Sequence, residues 1–131
     1  MTPQEYLAAL HLALVESPLV AGYTIVRQRA SSQFIHLRVR IDLSNGDFLE
    51  AAEFVGLTPD GIRLLDYRHQ WMNGERTILR KRWDSTPHYP HVPNAPHHCH
   101  NGSEEHVVPS DPMTIIEALA AISRETGATD E

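Results

Sequence analysis

The run Phe34-Ile35-His36-Leu37-Arg38-Val39-Arg40-Ile41-Asp42-Leu43 leaves this chain little freedom. From Ile35 on, apolar residues take the odd positions and polar or charged ones the even. An extended strand then buries one face and wets the other, whereas a helix would scatter both kinds. A strand needs neighbours. Asn45-Gly46 follows, a pair suited to a hairpin turn, and Phe48 to Val55 supplies a returning strand. Tyr23 to Arg29, Ile62 to Met72 and Thr77 to Trp83 have similar character, with turns marked at Thr58-Pro59-Asp60-Gly61 and Asn73-Gly74. The expectation is an antiparallel meander of about four or five strands across residues 20–83.

Helices are expected on either side. Thr2 and Glu5 have capping-box spacing with Pro3 between them, and Leu7, Leu10 and Leu14 form a stripe, giving a helix over 2–17. Asp111-Pro112 is expected to cap and open a second helix over 112–126, with Ile115, Leu119 and Ile122 facing the sheet. Gly127 should end it, leaving a loose acidic tail. Prolines at 87, 90, 93, 96, 109 and 112 make 84–111 read as an irregular Pro/His-rich loop. The fold class is therefore α+β, a single domain over 1–131 with both helices packed on the sheet.

A net charge of −6 argues against a protein that coats long nucleic acid. Arg63 to His100 is nonetheless locally basic, which leaves room for a small phosphate-bearing ligand. The one cysteine, Cys99, suits a reducing cytoplasm, and no leader peptide or membrane span is read.

Six of the nine histidines fall between Asp66 and His100, together with both tryptophans. Imidazoles titrate near neutrality and bind metals or phosphates, so this density points to chemistry. A two-residue turn at Asn45-Gly46 would set Ile41 opposite Glu50 and Arg38 opposite Glu53. The same reading at Asn73-Gly74 sets Tyr67 opposite Arg80 and His69 opposite Ile78, so that Tyr67, His69, Arg80 and Arg82 share a face. Depending on the turn at Thr58 to Gly61, either Glu50 or Glu53 joins His69. The proline-rich segment would fold over this face and deliver His88, His97, His98 and His100. His98-Cys99-His100 is also a local chelate, with His88 a third candidate ligand and Cys99 pointing away. Trp71 and Trp83 read either as core or as base-stacking platforms.

Tyr67, Trp71, Arg82-Trp83-Asp84, Pro87-His88 and Pro96-His97-His98-Cys99-His100 resemble the TumE-like toxins of prokaryotic toxin–antitoxin pairs. The likeness runs from about Val39 through Ile122. Ser85 stands where the family usually carries Asn, and His69 where a second Tyr is usual. The resemblance implies a small prokaryotic protein of defence or growth control, with nucleolytic activity and an antitoxin partner.

The expected function is metal-independent phosphodiester cleavage, with no cofactor. One histidine takes the proton of an RNA 2′-hydroxyl, a second protonates the leaving oxygen, and arginine steadies the phosphate. His69 or His88 would be the base, His98 or His100 the acid, Arg80 or Arg82 the stabiliser and Tyr67 a donor, with His97 also in the catalytic set. Arg38, Glu50, Glu53, Trp71, Trp83 and Asp84 are expected to bind substrate. That substrate is mRNA, tRNA or a cyclic oligoadenylate-type messenger of CRISPR antiviral signalling. A zinc-dependent hydrolase using the histidines and a non-catalytic antitoxin-binding module are the alternatives. A homodimer is expected to cover the apolar face of Phe34 to Val55.

Overall fold

The computed structural model describes residues 1–127; the expected loose tail lies outside them. The fold is α+β. Helix α1 (Pro3–Glu16) precedes seven strands: β1 (Val20–Ala30), β2 (Phe34–Leu43), β3 (Phe48–Thr58), β4 (Gly61–Met72), β5 (Leu79–Asp84), β6 (His98–Asn101) and β7 (Val107–Pro109). Helix α2 (Ile115–Thr126) follows. The strands form one antiparallel meander in sequence order.

Two strands exceed the expected count, and both come from the segment read as loop. Its prolines cluster at either end, and the proline-free interval from His97 to Val108 is long enough for a hairpin. The second helix also starts later than expected. Its N-cap is Thr114, whose side chain accepts from the Glu117 amide while Glu117 reaches back to the Thr114 amide. The same reciprocal box, Thr2 with Glu5, starts α1 as expected. Gly127 closes α2 in the left-handed conformation.

The odd row of β2, from Ile35 through Leu43, is wholly buried. From Leu37 on, that row joins Leu49, Ala51, Tyr67, Trp71, Trp83 and Cys99 in a face on which Leu10 and Leu14 of α1 and Ile115, Ala118, Leu119 and Ile122 of α2 pack. The apolar row expected to seat a second copy is thus covered by the chain's own helices. Truncating any of these fully buried leucines or isoleucines to alanine should cost about 2–5 kcal/mol. Glu53 ties the layers together. Only 1% exposed, it accepts from the Tyr6 hydroxyl of α1 at 2.7 Å and from the Ile115 amide of α2 at 3.0 Å. Burial raises its pKa, and those two hydrogen bonds oppose the rise. No helix among the described residues is long and apolar enough to cross a membrane.

Register departs from expectation at two turns. Leu43 pairs with Asp47 around three residues, Ser44-Asn45-Gly46, with Gly46 at φ 92°. Leu37 therefore faces Glu53, and Arg40 faces Glu50. One residue of slip sends Glu50 to the open face and Glu53 to the helices. The β4–β5 connection is longer, closing from the Asn73 amide to the Ile78 carbonyl. His69 then pairs with Trp83, and Gln70 with Arg82. A bulge between Phe54 and Val55 leaves Glu53 opposite Tyr67 and Ala51 opposite His69, so Glu53 is the acid that shares the face of His69. The two turns also touch: a Cβ at Gly74 would run into the Gly46 carbonyl oxygen.

Candidate functional site

These registers divide the expected site in two. Tyr67, His69, Trp71 and Trp83 lie in the helix-side core, each no more than 5% exposed. His69 donates from Nε2 to the Met113 carbonyl at 2.8 Å, while its buried Nδ1 has no hydrogen-bond partner. Burial pushes its pKa down to about 4, so the ring is neutral at pH 7. Tyr67 stacks on His69 and bonds through its hydroxyl to His97 Nδ1 at 2.9 Å. Burial, then the charge of Asp84, raises the phenol's pKa, so it stays protonated. Trp71 donates to Asp47 at 2.9 Å. These indoles are core residues with no face free to stack a base.

Arg80 is also drawn elsewhere. A bulge after Trp71 turns it toward the β2–β3 turn, where it grips Asp47 at 2.7 and 3.1 Å. His88 is exposed and is not part of the cluster that the buried His98 and His100 form with Asp84. The face predicted to unite Tyr67, His69, Arg80 and Arg82 therefore does not form.

A different set meets on the open face. Asp84 of β5 pairs with His98 of β6, and Arg82 with His100. Alternation along each strand then puts all four side chains on one side. His98 Nε2 lies 3.0 Å from Asp84 Oδ1, and His100 Nε2 lies 3.7 Å from Oδ2. Each imidazole spends its other nitrogen on a backbone carbonyl. His98 Nδ1 donates to Pro96 and His100 Nδ1 to Glu104, both at 2.9 Å. Arg82 holds Asp84 Oδ2 through Nε at 3.2 Å and grips Glu104 at 2.5 and 2.6 Å. The Tyr89 ring packs on both imidazoles, with centroids 4.8 and 5.6 Å away. Cys99, between the histidines, points into the core, where burial pushes its pKa up to about 11.

The same face continues toward β1 as a basic strip. Arg38, Glu50, Ala52, Arg68 and Gln70 line a shallow depression. Arg38 hydrogen-bonds Glu50, and Arg40 reaches the other carboxylate oxygen at 3.4 Å. Burial works against the charge of Glu50, but these guanidinium groups outweigh it and hold the carboxyl below its usual range. Arg68, exposed and directly opposite Asp84 in register, has no ion pair among the described residues. At the far side Arg27 faces Arg38 and Arg29 faces His36. Burial, followed by the charges of Arg27 and Arg29, lowers the pKa of His36.

Of the expected residues, the structure thus gathers Arg82, Asp84, His98 and His100 in one place, with Arg38 and Glu50 on the same face. Arg27, Arg29, Arg40, Arg68, Gln70, Tyr89 and Glu104 were missed. Arg27 and Arg29 carried a usable signal, since their spacing of two puts them on one side of any strand. No match was found among curated proteins or solved structures. A family model described as Toxin TumE matches residues 9–127.

Proposed function

The chain belongs to the TumE toxin family, and from that premise we propose that it acts by cleaving single-stranded RNA across the open face of its sheet. One observation carries this reading: Arg27 stands directly opposite Arg38 on neighbouring strands, on the face that leads through Arg68 to Asp84, His98 and His100. Like charges opposite each other destabilise a sheet, and Glu50 offsets only Arg38 of the pair, so stability gives no reason for placing Arg27 there. A phosphate between them turns the repulsion into two attractions. Strands lie about 4.8 Å apart, so the strip from β1 to β6 spans roughly 24 Å, a track for several nucleotides. Its extended, shallow form suits a strand better than a compact cyclic nucleotide.

In this reading the scissile phosphate lies at the β5–β6 end. The two imidazoles and Asp84 form the reacting centre, and Arg82 and Arg68 neutralise charge that grows on the phosphate. Tyr89 must swing aside, since its ring lies over both imidazoles. Membership of a toxin family also gives the chain an antitoxin as its expected partner.

The test is cleavage of end-labelled single-stranded RNA by the purified chain, with and without Arg27→Ala, Arg38→Ala and Arg68→Ala. Each variant should weaken RNA binding and flatten its dependence on salt. A folded chain that leaves every RNA intact, in the presence or absence of divalent cations, overturns the reading.

A further inference from the structure

We propose that Asp84, His98 and His100 form a binding site for one divalent metal ion of the zinc type. The donor atoms of these three residues all lie within 4.8 Å of one another. Their side chains are 4%, 1% and 2% exposed, so the cluster is a built interior feature and no chance meeting of surface groups. Metal–ligand bonds of this kind are about 2.1 Å long, which places two ligands of a tetrahedral ion roughly 3.4 Å apart. His98 Nε2 lies 3.0 Å from one oxygen of Asp84 and His100 Nε2 3.7 Å from the other, separations on either side of that distance.

The orientation of the rings is the stronger argument. A carbonyl can only accept, so each Nδ1 must carry a proton where it meets Pro96 or Glu104. Each Nε2 then faces the carboxylate either with a second proton or with a bare lone pair. Two lone pairs aimed at a carboxylate repel it, and an ion between them removes the repulsion. Carbonyl-anchored Nδ1–H groups are the usual outer support of metal-bound imidazoles. Asp84 has comparable support: the Thr86 amide donates to Oδ1 at 3.0 Å and Arg82 Nε to Oδ2 at 3.2 Å. Two imidazoles and one carboxylate favour zinc, manganese or ferrous ion over magnesium or calcium. Three protein ligands leave a fourth position for water or a phosphate oxygen.

This site departs from the metal-free chemistry expected from the sequence. It deepens the ribonuclease reading, resting on that reading only for what the ion does once bound. Metal binding is measured without RNA, so the two can fail separately.

The experiment titrates chelator-stripped chain with cobalt(II), then with zinc. The expected result is one equivalent of cobalt with the visible absorption of a four-coordinate ion, displaced by zinc and unaffected by magnesium. Outer-support changes typically cost 10- to 100-fold in metal affinity, so His98→Gln or Asp84→Asn should lose more than about a hundredfold. His88→Ala and His91→Ala, at exposed histidines, should keep full affinity. Because buried variants can misfold, NMR of the wild-type imidazole nitrogens supplies a second readout. Zinc should shift Nε2 of His98 and His100 and leave His11 unmoved. Folded wild type that takes up neither ion overturns the proposal, and the cluster is then an imidazolium–carboxylate network. Zinc binding without RNA cleavage supports the site and sinks the nuclease. RNA cleavage with undiminished rate by fully stripped chain in chelator supports the nuclease and removes the ion from its chemistry, while the titration alone decides the site.

Discussion

On the helix-covered face His69 is fully buried with a single carbonyl partner; on the open face His98 and His100 are as deeply enclosed but converge on a carboxylate. The first environment holds an imidazole neutral. The second holds two of them around a charge, beside an arginine and at the end of a basic strip. Glu53 and Asp84 repeat the contrast: one is committed to a tyrosine and a helix amide, the other to imidazoles. Burial alone therefore does not mark a site. What marks the candidate site is an enclosed carboxylate on which two imidazoles and an arginine converge.

The comparison can be broken most directly by exchanging roles. Asp84→Asn keeps the shape but removes the shared charge, and should lower RNA cleavage by about 10²- to 10⁴-fold, a typical range for losing a proton-transfer or charge-organising group. His69→Gln should leave the rate unchanged. Equal losses in single-turnover assays would erase the distinction between the faces.

The next effect is on stability. His69 titrates near 4 when folded and near 6.5 when unfolded, so the unfolded chain binds more protons between those values. The stabilisation is complete above about pH 6.5 and is lost as pH falls toward 4, a difference of about 3 kcal/mol. Urea unfolding of wild type and His69→Gln across that window should show the variant's pH dependence flattened. Parallel curves would mean the imidazole is hydrated in the folded chain.

Glu53→Ala should cost about 1–3 kcal/mol by orphaning the Tyr6 hydroxyl and the Ile115 amide. Thermal melts would detect it, and RNA cleavage by the folded fraction should persist. Smallest is Arg68→Ala. It should leave melting unchanged and reduce the slope of log affinity against log salt by about 0.7, the share of one phosphate on a single strand.

Much of the fold was legible because alternation is a local signal: β2 lies where its pattern put it, and Asn45-Gly46 does turn the chain. The site was harder to read because register depends on a count. A third residue in the β2–β3 loop exchanged Glu50 and Glu53 between faces. The longer β4–β5 connection, with Arg76 at φ 60°, separated Arg82 from Tyr67 and His69. Arg82, Asp84, His98 and His100 could be named from residue type. Their convergence could not, because β6 was hidden in a segment whose prolines suggested no strand at all.

The order of the meander has a consequence for synthesis. Every strand pairs with its sequence neighbour, so the sheet can grow as the chain leaves the ribosome at about 5–20 residues per second. The strands that carry Arg27, Arg38 and Arg68 emerge first, and β6 emerges only after the long proline-rich excursion. Until then the nascent chain carries the basic strip without the histidines that meet Asp84. If that cluster is the reacting centre, cleavage must wait for the sixth strand to dock, and the ribosome and message making the chain are spared until then.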